Sequence, residues 1–212
     1  PALAERFCQE GFLVLIFNFR GTGASEGNYD ILGWARDLEG GLDYLSRRSE
    51  VDRERIYLMG FSGGGAVSIY VAAHRKEIGG VVSCASPAEF QDLLTGRGLT
   101  DFLAHAREVG IIRDPLFPVS IPEWKKTFEM VKPVQWIAKI PPRPLLLIQG
   151  SADEVVDPCH AHLLYQKVKG QAELYEIEGA GHRLRLEERA MNKALDWLKK
   201  IAFSNQLSVK NN

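Results

Sequence analysis

The sequence predicts an α/β fold in which a mostly parallel sheet is covered by helices on both faces. Two observations support this prediction. Short apolar runs alternate with longer amphipathic segments along most of the 212 residues, and the runs are hydrophobic throughout rather than at every second position. Strands that are buried on both faces have this composition. The expected strands are residues 12–19, 55–59, 80–84, 144–149 and 172–177, and the expected helices are residues 31–48, 62–74, 158–168 and 184–201.

Composition and charge narrow the classes of function. Hydrophobic residues make up 45% of the chain and the net charge is -1, which is ordinary for a globular domain. This charge gives no reason to expect a nucleic acid or a membrane surface as partner. No signal peptide is visible and the apolar run at 12–17 is too short to span a bilayer, so a cytoplasmic protein is expected. Residues 1–203 are expected to form one domain, and residues 204–212 a disordered tail.

The three cysteines are an odd number and lie far apart, at Cys8, Cys84 and Cys159. Their spacing fits neither a disulfide framework nor a zinc motif. We expect reduced, buried thiols, no metal and no cofactor.

Residues 86–142 interrupt the alternation of strands and helices. Long ordered insertions in compact domains are usually functional. This one leaves from the carboxyl end of a strand, which is the side where parallel sheets bind ligands. We expect a small helical lid, with most of its aromatic residues packing the lid onto the body. These residues are Phe90, Phe102, Phe117, Trp124, Phe128 and Trp136.

A G-x-S-x-G sequence, Gly60-Phe61-Ser62-Gly63-Gly64, follows one expected strand and precedes the next helix. A strand-to-helix turn of this kind holds the serine at the tip of a tight bend, as a nucleophile requires. Flanking glycines are expected because the strand and the helix pass too close for side chains. The alternative is a glycine-rich turn that happens to contain a serine, but the strand and the helix on either side favour a nucleophile.

A nucleophilic serine needs a base, and the base needs a carboxylate that orients it. His182 follows the last expected strand, and Asp153 follows the strand at 144–149. Both loops open at the same edge of the sheet as Ser62, and the chain order is Ser, Asp, His. Asp157 competes for the acid role, but its position directly before Pro158 is more typical of a helix N-cap.

Together these motifs resemble the α/β-hydrolase superfamily, in its serine esterase and peptidase-like group. The resemblance implies that Ser62 is the nucleophile, His182 the base and Asp153 the third member of a triad. It also implies that the backbone N–H of Gly63 supplies half of an oxyanion hole. The implied activity is hydrolysis of a small-molecule carboxylic ester, with a thioester or an amide as alternatives. The motifs specify neither the substrate-binding residues nor the oligomeric state. The matching stretches are residues 17–27, 60–64, 146–156 and 179–182.

Two other functions stay open. A hydrolase fold can serve as a non-catalytic binding module, because fold alone does not establish function. A nucleotide-binding protein is weaker, since Gly21-Thr22-Gly23 resembles a dinucleotide fingerprint but Glu26 stands where its third glycine belongs.

The family pattern also includes a strand that ends in a His-Gly type loop and supplies the second oxyanion donor. That strand precedes the helix that here corresponds to residues 2–10, and this sequence starts after it. We therefore expect part of the natural N-terminus to be missing and the position between residues 12–19 and 55–59 to be unfilled. The alternative is that these two strands pair directly.

Overall fold

The structure is a computed structural model that describes the backbone of residues 2–207 and the side chains of residues 3–203. Within this range, four strands form one sheet in the order β1-β2-β3-β4. Every neighbouring pair is parallel, which confirms the predicted parallel sheet. The strands are β1 (Ile56–Phe61), β2 (Ile78–Cys84), β3 (Leu145–Gly150) and β4 (Glu173–Ile177).

Helices cover both faces of this sheet. Side chains alternate along β3, so that Leu147 packs with α2 and α3 while Leu146 and Ile148 pack with α1 and α9 on the opposite face. The apolar runs of the sequence are therefore continuous because the strands are buried on both faces, as predicted. The helices are α1 (Ala2–Gln9), α2 (Ile31–Ser46), α3 (Gly63–His74), α4 (Gln91–Leu94), α5 (Gly96–Glu108), α6 (Ile121–Val131), α7 (Pro133–Trp136), α8 (Cys159–Lys167) and α9 (Glu188–Leu207), with 3₁₀ turns at Ile137–Lys139 and Leu184–Leu186.

The predicted strand at residues 12–19 is wrong, because this segment has no regular secondary structure. A strand is defined by the ladder it forms with a neighbour, and β1 ends the sheet without pairing to this segment. The alternative of direct pairing with β1 is therefore also wrong. Leu13 and Ile16 remain 55% and 61% exposed.

A cavity of about 760 Å³ separates residues 12–19 from β1, and both line it. It extends from Leu198 on α9 to Gly64 at the start of α3 and Ser68 in the middle of that helix. An unfilled position between the two segments was predicted from the sequence, and this opening lies there.

The insertion between β2 and β3 contains α4 to α7 and is helical, as predicted. Its aromatic side chains mainly hold it to the body. Phe90, Trp124 and Phe128 are buried, and the Trp124 indole N–H donates to the carbonyl oxygen of Tyr29. The tip between α5 and α6 is different, because Leu116 there is 77% exposed.

The structure also bears on the cysteines, the C-terminal helix and membrane-spanning helices. All three cysteines are free thiols, but the expected burial holds for Cys84 alone, since Cys8 and Cys159 are exposed. Helix α9 continues to Leu207, beyond the expected end at 201, and residues 208–212 of the predicted tail lie outside the described residues. No helix in the described part of the chain is long and apolar enough to cross a bilayer.

Candidate active site

Ser62 occupies a strained turn between β1 and α3. Its backbone has φ 52° and ψ -125°, in a region that costs a residue with a side chain roughly 1–3 kcal/mol. The surroundings hold it there. The Ser62 N–H donates to the carbonyl oxygen of Cys84 at 2.8 Å, and the Ser62 carbonyl oxygen accepts from the N–H groups of Gly65 and Ala66.

The glycines around Ser62 have different reasons to be glycine. A Cβ on Gly60 would lie 2.3 Å from the carbonyl oxygen of Gly64, so the predicted close approach of strand and helix is present there. A Cβ on Gly64 would meet only the Phe19 ring, at an ordinary 3.8 Å. The second close approach is at Gly65 instead, where a Cβ would lie 2.8 Å from Ser83 Oγ. The steric reason expected at both flanking glycines thus applies to Gly60 and not to Gly64.

Gly63 begins α3, and its N–H has no acceptor within the described residues. The first N–H groups of a helix carry the positive end of its dipole and suit a developing negative charge. The indole of Trp34 lies against this residue, 3.2 Å from where a Cβ would stand. The N–H thus remains available to an oxyanion.

Asp153 accepts four hydrogen bonds while its side chain is fully buried. Oδ1 accepts from the N–H groups of Val155 and Val156 at 2.9 Å each, and Oδ2 accepts from Gln149 Nε2 at 3.0 Å. The Nδ1 atom of His182 lies 2.9 Å from Oδ2 and 3.0 Å from Oδ1. Burial alone would raise the pKa of Asp153, but the Val156, His182 and Val155 donors together lower it below its ordinary value. The side chain is therefore a carboxylate.

The loop that carries His182 is fixed to the loop that carries Asp153. The N–H of Ala152 donates to the carbonyl oxygen of Ala180 at 2.9 Å. Gly150 brings the two loops together, because a Cβ there would lie 2.3 Å from that same oxygen. With Nδ1 donating to the carboxylate, Nε2 of His182 is the proton acceptor of the ring.

Asp157, the competing acid, has a different role. Its Oδ1 accepts from the N–H of Cys159 at 2.8 Å, at the start of α8. That N–H is the main reason that the pKa of Asp157 is lowered. The expectation that Asp157 is a helix cap fits this geometry.

The structure brings Asp153 and His182 together directly and places Ser62 on the same edge of the sheet. Ser62 follows β1, Asp153 follows β3 and His182 follows β4, all at the carboxyl ends of parallel strands. Within the described residues, no hydrogen bond joins Ser62 to His182. In the absence of substrate, the distance between the donor and the acceptor of a catalytic hydrogen bond is often long.

Gln149 is a member of this site that sequence reasoning missed. It is fully buried in β3 and donates to Asp153. The available signal was one polar residue at the end of an otherwise apolar strand, four positions before the acid.

The glycine loop at residues 21–27 holds the insertion. The guanidinium of Arg113 donates to the carbonyl oxygens of Gly23 and Ser25 at 2.8 Å and 2.7 Å. A phosphate site presents N–H groups, whereas this loop presents carbonyl oxygens to a cation. This weakens the nucleotide-binding alternative. In the part of the chain that the structure covers, no three His, Cys, Asp or Glu side chains are grouped to hold a metal ion.

Comparisons with known proteins identify relatives of this chain in sequence and in fold. The chain is 28% identical over 179 residues to the "uncharacterized peptidase YtmA" of Bacillus subtilis, covering 80% of this chain and 63% of that protein. It spans about half to two thirds of the length of the curated relatives it matches.

An esterase and a lipase are among the solved structures that share its fold. The Pyrococcus furiosus esterase Pf2001 matches with a TM-score of 0.68 and 24% identity, over 94% of this chain and 75% of that one. A monoacylglycerol lipase from Paleococcus ferrophilus matches with a TM-score of 0.70 and 21% identity, over 94% and 88%. The family model described as BD-FAE matches residues 1–168. This chain therefore belongs to the BD-FAE family, within the α/β-hydrolase superfamily.

Proposed function

We propose that this protein is a serine hydrolase that cleaves a small-molecule carboxylic ester through an acyl-enzyme on Ser62. The observation that carries the proposal is the hydrogen bond between His182 and the buried Asp153, at the same sheet edge as a strained serine. Supporting it, the chain resembles an esterase and a lipase in fold, and a peptidase-named relative in sequence. Thioester and amide cleavage would use the same groups.

In this mechanism each residue has one role. Asp153 holds the Nδ1–H of His182, so that Nε2 takes the Ser62 proton as Oγ attacks the ester carbonyl. The imidazolium that forms is stabilised by the buried carboxylate. The N–H of Gly63 donates to the developing oxyanion. His182 then returns the proton to the leaving alcohol, and water repeats the sequence on the acyl-enzyme.

An apolar acyl or alcohol group is the proposed substrate feature. Phe90, Trp124 and Phe128 are buried in holding the insertion and have little surface to offer a ligand. Leu116 and Val119 at its tip remain exposed. The proposal of an apolar group therefore rests on the apolar composition of the insertion as a whole. A series of p-nitrophenyl esters of increasing chain length tests it, and a preference for charged substrates would contradict it.

Replacing Ser62 or His182 by alanine is expected to lower kcat about 10⁴-fold or more, because each removes a group that forms or breaks bonds. Ser49→Ala and His105→Ala are matched controls, since both side chains are exposed on the surface. Initial rates with p-nitrophenyl acetate measure the effect. Near-full activity of Ser62→Ala would end the proposal.

Two observations favour a non-catalytic alternative. No hydrogen bond joins Ser62 to His182 in the described chain, and the cavity beside β1 opens next to the serine turn. A fluorophosphonate probe separates the two. A working nucleophile is labelled covalently at Ser62 and the label is absent from Ser62→Ala. An unlabelled wild-type protein would favour a binding module.

A further inference from the structure

A buried glutamine lies directly behind the proposed acid. Gln149 is 0% exposed, and its Nε2 lies 3.0 Å from Asp153 Oδ2. The same nitrogen lies 3.3 Å from the carbonyl oxygens of Gly150 and Val156. All three neighbours are hydrogen-bond acceptors, so the amide NH₂ and not its oxygen must face them. The orientation of the amide follows from chemistry alone.

The other end of this amide is unsatisfied. Oε1 of Gln149 is buried and meets no donor within the described residues. A buried carbonyl oxygen without a partner is unfavourable and calls for an explanation. The four preceding residues of β3 are Leu145, Leu146, Leu147 and Ile148, and an apolar side chain at 149 would avoid the difficulty. The charged group that Gln149 contacts is Asp153.

We infer that Gln149 is a positioning residue, which fixes the Asp153 carboxylate in the plane that pairs with His182. This inference rests on the proposed function. The acid loop holds one oxygen, because Oδ1 accepts from Val155 and Val156. Gln149 holds the other from the strand. With both oxygens fixed, the carboxylate cannot rotate away from Nδ1 of His182.

Loss of this donor has a predictable electrostatic effect. A hydrogen bond to a carboxylate stabilises its charged form. Without it, the proton affinity of Asp153 rises, and a carboxylate that can rotate away from Nδ1 stabilises the imidazolium of His182 less. Because the acidic limb of the kcat/KM profile follows protonation of the base, the weaker pairing moves this limb to lower pH. The amide dipole of Gln149 is the polar group facing Oδ2 from β3, and the remaining donors to Asp153 come from its own loop and from His182.

Gln149→Met tests the inference, because methionine keeps the length and removes the donor. We expect kcat to fall about 10-fold, the loss of one charge-assisted hydrogen bond, with KM little changed. The acidic limb should move to lower pH. Gln166→Met, on the exposed face of α8, is the matched control and should change none of these.

Gln149→Glu sharpens the test. Two carboxyl groups at this distance hold one proton between them. While the proton is held, the introduced carboxyl donates to Asp153 and activity should approach that of the wild type. When it is lost at higher pH, repulsion should abolish activity, giving an alkaline limb that the wild type lacks.

A purely structural role would have a different signature. If Gln149→Met lowered the folded fraction, measured by circular dichroism, and activity fell only in proportion with an unmoved pH profile, the inference would be overturned. The His182 Nδ1–H proton resonance gives a readout without turnover. We expect this resonance to weaken in Gln149→Met, because the Nδ1–H proton exchanges faster with solvent. An unchanged resonance would contradict the inference even if the wild type hydrolysed no ester. If the wild type were inactive but the resonance still weakened in Gln149→Met, the result would count against the proposed function alone.

Discussion

The acid–base side and the nucleophile side of the candidate site differ in how well the surrounding structure supports them. On the acid–base side, Asp153 has donors on both oxygens, and its loop is bonded to the loop of His182. On the nucleophile side, Ser62 follows a strand whose outer edge faces a cavity of about 760 Å³.

The difference follows from where the partners lie. The acid–base pair depends on β3 and β4, which are adjacent and paired through Gly150 and Ile177 at their carboxyl ends. The serine turn depends on β1, which pairs with β2 on one side alone within residues 2–207. We therefore expect rigidity to decrease from β3, which is paired on both sides, toward the cavity beside β1. Each of the following predictions tests that gradient.

Among the predictions that compare the two sides, the largest effect is expected at the acid. Asp153→Asn presents an amide to Nδ1 of His182 and favours the wrong tautomer, so kcat should fall about 10⁴-fold. Asp157→Asn should leave kcat unchanged, because asparagine still caps α8. Initial rates on one p-nitrophenyl ester measure both. The reverse result would make Asp157 the acid and would break the account of the acid–base side.

A smaller effect is expected in stability. Ile148 in β3 is 1% exposed, and Ile148→Ala should lower the free energy of unfolding by about 2–5 kcal/mol. Ile16 beside the cavity is 61% exposed, and Ile16→Ala should change it by less than about 0.5 kcal/mol. Urea denaturation measures both. An equal loss for Ile16→Ala would show that the cavity is filled in solution, and the contrast between the two sides would disappear.

Sequence reasoning succeeded where the signal was local. The apolar runs of β1 to β4 and the loops of Ser62, Asp153 and His182 could be assigned because each strand end carried its own motif. The pairing of Asp153 with His182 followed from parallel strands that open at one edge. Asp157 could be assigned as a cap because Pro158 follows it.

Prediction from the sequence failed where the structure of a segment depends on what packs or pairs beside it. Residues 12–19 have the composition of a buried strand, but a strand needs a partner to bond, and here a cavity lies beside the segment. The burial of Cys8 and Cys159 failed for a similar reason, because residue type alone does not say which face of a helix meets the core. Gln149 was missed because its bond to Asp153 depends on the turn between them.

The smallest expected effect concerns the strain stored at Ser62. Ser62→Gly and Ser62→Ala both remove Oγ, but glycine adopts φ 52° without steric cost and alanine does not. We expect Ser62→Gly to be more stable than Ser62→Ala by roughly 1 kcal/mol, measured by urea denaturation. Ala104→Gly, exposed within α5, is the matched control and should destabilise by a similar amount. Glycine in place of alanine would then stabilise the protein at position 62 and destabilise it at position 104. This contrast would show that the backbone conformation of the turn, and not glycine itself, sets the effect. Equal stability of the two Ser62 variants would mean that the turn relaxes toward the cavity beside β1. The nucleophile side would then be less rigid than its hydrogen bonds to Cys84, Gly65 and Ala66 indicate.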